Sequence, residues 1–205
     1  MFKKYIIIIL FLFFTFECRA DDVRIISLAP NITEMLFAIG MGKNIVGIDE
    51  YSDYPEEAKD IEKIGTFFNP DIEKMILLEP DYIFAHKEMS GDKTEYLRNL
   101  GIQVIDISPK SVDEICYEIE MLGVIFNKEK KAKRVANGII RRLNAAKEKV
   151  KGKRPKVFIQ IFEDPLATGS SFLGDVIEAA GGENIAKDVK EESGLFSYEF
   201  LIERN

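Results

Sequence analysis

The chain is poor in the side chains that build most enzymatic and metal centres. It has one histidine, His86, no tryptophan and two cysteines among 205 residues. A single histidine nearly excludes a zinc or manganese site built from several imidazoles. No nucleophile elbow, phosphate-binding loop or zinc motif occurs in the sequence. We therefore expect neither a bound cofactor nor a metal centre, and no enzymatic activity.

The N-terminus has the order of a secretory signal peptide. Lys3 and Lys4 precede an apolar run over residues 5–16, and Cys18–Ala20 then places small side chains before a cleavage point. The apolar run is shorter than the roughly 20 residues that span a bilayer. We predict that residues 1–20 are a cleaved signal peptide, and that the protein works in the periplasm or at the extracellular face. A retained membrane anchor is the alternative.

The two cysteines have different expected fates. Phe16 and Glu17 are large where a lipoprotein would carry small residues, so lipidation of Cys18 is disfavoured. Cleavage would leave Cys116 without a partner for an internal disulfide, and the fold must then rest on its core. Cys116 lies among apolar residues at helical spacing, which predicts a buried small hydrophobe rather than a reactive thiol.

The charge of the chain argues against nucleic acid as a partner. Removal of residues 1–20, which carry three basic and one acidic side chain, would change the net charge from −7 to −9. An acidic exported protein repels nucleic acid and anionic lipid. The stretch from Lys128 to Lys151 is basic, but its apolar residues recur every three or four positions. That spacing is typical of a solvated amphipathic helix.

Short apolar runs alternate with helical patterns along the rest of the chain. Strands are predicted over residues 24–28, 45–48, 82–85, 102–107 and 156–162, with helical patterns after them. Apolar strands joined by helices predict a parallel sheet that is covered on both faces. Two helix starts are predicted, from a capping box over Asn31–Glu34 and from Asn69–Asp71.

The same pattern divides the chain into four parts. These are the signal peptide (residues 1–20), an N-terminal α/β lobe (21–126), a connecting helix (127–152) and a C-terminal α/β lobe (153–205). The last part holds one predicted strand and two helices, too few to cover a parallel sheet, so we expect this lobe to be incomplete. The predicted fold class is two Rossmann-like α/β lobes joined by a long helix.

Aromatic or polar residues follow several predicted strands and form the set of candidate ligand contacts: Pro30, Asn31, Tyr51, Phe67, His86 and Phe162. Ligands of open α/β sheets bind outside the carboxyl ends of the strands. Aromatic rings at that position suit a large, partly flat ligand. The alternatives left open are that Phe67 is a core residue, and that His86 is an ordinary loop residue rather than a ligand contact or an axial metal ligand.

Four segments then occur in a family-specific order: RIISLAPNITE (24–34), GIDEYSDYP (47–55), IGTFFNPDIE (64–73) and LEPDYI (78–83). With GGENI (181–185) and SYE (197–199), they resemble the vitamin B12-binding and iron-siderophore-binding periplasmic proteins of ABC importers. The resemblance covers the chain after residue 20. It implies two α/β lobes bridged by one long helix, with the ligand clamped between them.

The resemblance also implies a partner and a ligand. One glutamate on each lobe would dock onto the permease, and motif matching gives Glu73 and Glu199. A carboxylate at a helix start also complements the helix dipole, which is the alternative for each glutamate. Tyr51 would stack on a corrin ring. Phe67 and His86 stand where the B12 binders tend to carry tryptophan, so other corrinoids, haem and ferric siderophores remain open.

We therefore predict a non-enzymatic, monomeric solute-binding component of an ABC importer. It would capture cobalamin or a related corrinoid in the interlobe cleft and deliver it to the permease. Three alternatives remain: a haem- or ferric-siderophore-binding protein of the same family, an exported enzyme that uses the cleft, and a scaffold or sensor domain without a transport role.

Overall fold

The computed structural model describes residues 23–66, 68–87, 91–160, 166–167, 172–188, 194–195 and 198–204. The predicted signal peptide and two candidate contacts, Phe67 and Phe162, lie outside the described residues. Among the helices that are described, none is both long enough and apolar enough to cross a membrane.

A four-stranded parallel sheet organises the N-terminal half of the chain. Its strands are β1 (Ile25–Ser27), β2 (Ile45–Ile48), β3 (Tyr82–Ala85) and β4 (Gln103–Asp106). The strand order is β2-β1-β3-β4, and each pairing is parallel. All four strands lie within the predicted apolar runs, so the predicted parallel sheet is confirmed.

Helices cover both faces of this sheet, as the apolar strands predict. They are α1 (Pro30–Ile39), α2 (Ile72–Leu77), α3 (Gly91–Asn99), α4 (Val112–Ile125) and α5 (Glu129–Lys149). On one face α1, α4 and α5 share a core with Ile25 and Phe84. On the other face α2 and α3 pack Met75 and Leu97 against Ile26 and Ile83.

One predicted helix start is confirmed and the other is wrong. Asp71 caps α2, because its Oδ1 accepts a hydrogen bond of 3.0 Å from the backbone N–H of Lys74. The capping box at Asn31 does not form: α1 begins at Pro30, and its N-cap residue is Ala29. Proline already has the φ angle of a first helical residue and lacks an N–H to be capped. The Asn31 side chain is therefore not a helix cap.

The basic helix predicted in the middle of the chain is α5, which packs along α4. Ala132 and Ala136 are buried on its inner side, whereas its lysines and arginines are exposed. Cys116 of α4 is buried, as predicted, and its Sγ lies 3.7 Å from the carbonyl oxygen of Ala136. Gly123 lets the two helices approach closely, since a Cβ there would lie 2.4 Å from the Cβ of Ala132.

Six short elements follow α5 in the described part of the chain. They are β5 (Lys156–Val157), β6 (Leu166–Ala167), α6 (Phe172–Ala179), β7 (Glu183–Asn184), β8 (Gly194–Leu195) and α7 (Tyr198–Arg204). Strand β5 pairs in parallel with β7, and β6 pairs antiparallel with β8. The strand predicted over 156–162 is too long, because β5 pairs with a two-residue partner and residues 158–160 are not in a strand.

Replacing Gly123 with alanine should destabilise the protein by about 1–3 kcal/mol, because the new methyl group would overpack the α4–α5 contact. The matched control is Gly138→Ala on α5, where the nearest atom to the new Cβ is Nη2 of Arg142 at 4.0 Å. The control should stabilise the helix by up to about 1 kcal/mol. Urea unfolding of both variants measures the difference, and a stabilised Gly123→Ala variant would contradict the close helix packing.

Candidate ligand-binding site

The carboxyl ends of β1, β3 and β4 bring three parts of the chain to one edge of the sheet. Asn31 follows β1 in the first turn of α1, His86 follows β3 directly, and Ser108 follows β4. The strand order reverses between β1 and β3, because the chain moves from β1 to β2 on one side and from β3 to β4 on the other. Such a switch point leaves a crevice in which α/β proteins bind ligands.

A pocket of about 740 Å³ lies in this crevice. Its polar lining consists of Asn31, Glu34, His86 and Ser108. The remaining lining residues are apolar and come from the β4–α4 loop and from helices α1, α4, α5 and α6: Pro30, Met35, Ala38, Pro109, Ile115, Ile119, Val135, Ile139, Phe172 and Leu173. An apolar cavity with a few polar groups at one end is typical of a small-molecule site.

The polar groups at the pocket form a continuous hydrogen-bonded chain. Nε2 of His86 lies 3.2 Å from Oδ1 of Asn31, and Nδ1 of His86 lies 3.4 Å from Oγ of Ser108. The same Oγ accepts a 3.0 Å hydrogen bond from the backbone N–H of Lys87. These contacts tie the ends of β3 and β4 to α1, so that the imidazole cannot reorient without breaking them.

Glu118 of α4 anchors the other end of this chain. Its Oε1 accepts a 3.2 Å hydrogen bond from the backbone N–H of Ser108. Its Oε2 is buried and has no hydrogen-bond partner among the described residues. Burial raises the pKa of the Glu118 carboxyl to about 7; the hydrogen bond from Ser108 opposes this shift, and the charge of Glu114 adds to it.

Three candidate ligand contacts come together and one lies apart. Pro30, Asn31 and His86 line the pocket. Tyr51 is not part of its lining and is 66% exposed. It follows β2, which lies on the far side of β1 from β3. The role of Tyr51 as a stacking residue stays a prediction, as do those of Phe67 and Phe162.

The loop that carries Tyr51 is held by buried polar side chains. Oγ1 of Thr33 lies 2.8 Å from Oγ of Ser27 and 2.9 Å from Oγ of Ser52. Ser52 also donates a hydrogen bond to Asp49, and the backbone N–H of Tyr51 donates to Oδ2 of Asp49 over 3.1 Å. These contacts fix the backbone of the loop and leave the Tyr51 ring at the surface.

The two predicted docking glutamates are both exposed. Glu73 lies in the first turn of α2 and Glu199 in the first turn of α7. Leu77 follows Glu73 by one helical turn and is 81% exposed. The docking role of both glutamates stays a prediction.

Three residues at or beside the pocket were not expected from the sequence. Ser108 could have been found, since it also follows a predicted strand. Glu34 was interpreted as part of a capping box, although its side chain lines the pocket. Glu118 had no distinguishing signal, because one glutamate on an amphipathic helix is normally solvated. Within the described ranges, no group of three or more histidine, cysteine, aspartate or glutamate residues could hold a metal ion.

The chain matches a known protein family over most of its length. The model of the family described as periplasmic binding protein matches residues 25–205. The chain belongs to this family. The match includes the parallel sheet, the pocket and α5, so it covers all the elements that position the candidate site.

Two curated relatives show how this periplasmic binding protein compares in sequence. It is 31% identical over 171 residues to a vitamin B12-binding protein of Pectobacterium carotovorum, covering 80% of this chain and 62% of that protein. It is 33% identical over 181 residues to YvrC, an ABC transporter substrate-binding lipoprotein of Bacillus subtilis, covering 83% of this chain and 57% of that protein. The chain therefore spans about three fifths of these relatives' length.

Two solved structures from Vibrio cholerae have the same two-lobed fold. The periplasmic vitamin B12-binding protein BtuF superimposes with a TM-score of 0.76 at 30% identity, covering 90% of this chain and 74% of BtuF. The periplasmic haem-binding protein HutB superimposes with a TM-score of 0.78 at 26% identity, covering 89% of this chain and 73% of HutB. The fold is thus shared by proteins named for different ligands.

Replacing Glu118 with glutamine should change how stability depends on pH. In the wild-type protein the folded-state pKa of about 7 exceeds the ordinary value of 4.5, so stability falls as pH rises through that window. Glutamine cannot ionise, so the variant does not lose stability in this way. At about pH 8 it should be more stable than the wild type by on the order of 1 kcal/mol. This magnitude allows for solvent screening of a partly exposed carboxyl. The difference should shrink at about pH 5.

Urea unfolding of both proteins at the two pH values measures this effect. Glu120→Gln is the matched control, since it removes an exposed carboxyl from the same helix. If Glu118→Gln had the same effect on stability at both pH values, the raised pKa of Glu118 would be contradicted.

Proposed function

We propose that this chain is the solute-binding component of an ABC importer and that it captures cobalamin or a related corrinoid. The observation that carries the proposal is the 740 Å³ pocket at the switch point of the sheet, in a chain 31% identical to a vitamin B12-binding protein. In this proposal the protein is exported, acts as a monomer and performs no catalysis. Its ligand is cargo that it releases to the permease.

The walls of the pocket support a cleft between two lobes. We assign residues 21–126 to the N-terminal lobe, 127–152 to the connecting helix and 153–205 to the C-terminal lobe. Helices α1 and α4 form one wall, α5 contributes Val135 and Ile139, and α6 adds Phe172 and Leu173 from beyond the connecting helix. A ligand in this pocket would therefore contact both lobes.

The charge of the lining favours a corrinoid over haem. Among the described lining residues, Glu34 is the one that carries a formal charge, and neither lysine nor arginine is present. Haem carries two propionate carboxylates, which a buried site would have to pair with cations. The corrin ring carries neutral amides instead. A neutral periphery suits an apolar pocket with an acidic side chain at its edge.

The purified chain should bind one cyanocobalamin, measured by isothermal titration calorimetry and by the absorbance change of the corrin. His86→Ala should weaken this binding about tenfold, because it removes a pocket side chain and releases Asn31 from its hydrogen bond. Tyr96→Ala, at an exposed position on α3, is a control that should bind as the wild type does.

The same titration with haemin and with a ferric hydroxamate siderophore tests the competing ligands. Tight binding of either one without binding of cyanocobalamin would overturn the corrinoid assignment. Conversion of a bound compound with repeated turnover would instead favour an enzyme that uses the cleft.

We also propose that Glu73 and Glu199 dock onto basic residues of the permease, one from each lobe. Both carboxylates are exposed in the first turn of a helix, where basic side chains of a partner can approach them. Complementary charge at the rim of an interface mainly speeds association and sets register. The exposed Leu77 beside Glu73 would add apolar contact area.

Glu73→Lys and Glu199→Lys should each weaken association with the cognate permease in reconstituted vesicles by about tenfold, and added salt should weaken wild-type association. Glu129→Lys is the matched control, since it reverses an exposed first-turn glutamate of α5. Ligand affinity should not change in any of these variants. Unchanged vesicle association of both docking variants would refute the proposed contact.

A further inference from the structure

The hydrogen-bond chain at the pocket determines where the proton of His86 lies. The backbone N–H of Lys87 can only donate, so Oγ of Ser108 accepts its 3.0 Å hydrogen bond. The hydroxyl proton of Ser108 is then available for Nδ1 of His86, 3.4 Å away. Oδ1 of Asn31 can only accept and lies 3.2 Å from Nε2 of His86, so the neutral imidazole carries its proton on Nε2 and leaves Nδ1 as the acceptor for that hydroxyl proton.

The same contact engages one end of the Asn31 side-chain amide. Nε2–H of His86 donates to Oδ1 of Asn31 over 3.2 Å. The oxygen end of the amide is therefore engaged within the protein. The NH2 end, with its two donor protons, is the end that Asn31 offers to a ligand in the pocket.

Glu34 completes the arrangement with an acceptor. It follows Asn31 by three residues on α1, so both side chains lie on the same face of the helix, and both line the pocket. The Asn31 amide donates hydrogen bonds and the Glu34 carboxylate accepts them. A primary carboxamide has the complementary groups, because its carbonyl oxygen accepts and its NH2 group donates. A carboxylate in the same place would face Glu34 with like charge.

We propose that Asn31 and Glu34 form a subsite that binds a primary carboxamide of the ligand, and that His86 and Ser108 hold Asn31 in the required orientation. This inference rests on the proposed function, since it takes the pocket to be the ligand site. It adds to that function the chemical group of the ligand that the polar lining residues recognise. Asn31 and Glu34 determine specificity, whereas His86 and Ser108 act as positioning residues.

Cyanocobalamin and its monocarboxylic acids, in which one side-chain amide is hydrolysed, test the subsite directly. At least one of the monoacids should bind the purified chain roughly ten- to a hundredfold more weakly than cyanocobalamin, because one hydrogen bond is lost and a like charge is added. Glu34→Gln should restore binding of that monoacid, and Asn31→Asp should weaken cyanocobalamin by a similar factor. Glu57→Gln, at an exposed position outside the pocket lining, should change neither affinity. Equal binding of all monoacids would overturn the subsite.

A second measurement needs no ligand. His86 is the one histidine of the chain, so its two imidazole nitrogens can be assigned in a nitrogen-15 spectrum without ambiguity. In spectra of the neutral imidazole, the proton should reside on Nε2. Ser108→Ala should increase the population with the proton on Nδ1. A wild-type protein that already carries its proton on Nδ1 would overturn the orientation assigned to Asn31.

The two proposals can fail separately. If neither cyanocobalamin nor its monoacids bind, the proposed ligand is wrong, and the subsite is then tested by titrating propionamide and propionate against the imidazole signals of His86. A shift of these signals by propionamide alone supports the subsite. Every other pattern overturns it.

Discussion

The pairing of β1 with strands on both of its sides is the constraint on which the rest of the structure depends. Ile25, Ile26 and Ser27 are fully buried, with β2 on one side and β3 on the other. Because the chain crosses to β2 after β1 and continues from β3 to β4 on the opposite side, the carboxyl ends of β1 and β3 enclose an opening. Helix α1 begins at that opening, and the pocket lies against its first turns.

The chemistry of the pocket follows from contacts between elements rather than from any one of them. Ser108 links β4 to β3 through Lys87 and His86, and Glu118 links the same loop to α4. A chain of this kind gives each polar group one defined role as donor or acceptor. The network leaves one buried oxygen, Oε2 of Glu118, without a hydrogen-bond partner among the described residues, which costs stability.

Fold and ligand are separable in this family. HutB and BtuF, one named for haem and the other for vitamin B12, superimpose on this chain about equally well. The architecture therefore supplies a cleft, and the side chains at its edge select what enters. In this chain, the described lining contains Glu34 and neither lysine nor arginine.

The amino-acid sequence by itself determined the parallel sheet, the long basic helix, the burial of Cys116 and the position of Asn31 and His86 at one edge of the sheet. These follow from local periodicity and from the rule that parallel strands share one functional edge. Strand order is not local, so only the tertiary structure separated Tyr51 from the pocket and brought Glu34, Ser108 and Glu118 into one network. For the same reason Asn31 was interpreted as a cap: the 3.2 Å contact with His86 joins residues 55 positions apart, and no window of sequence contains both.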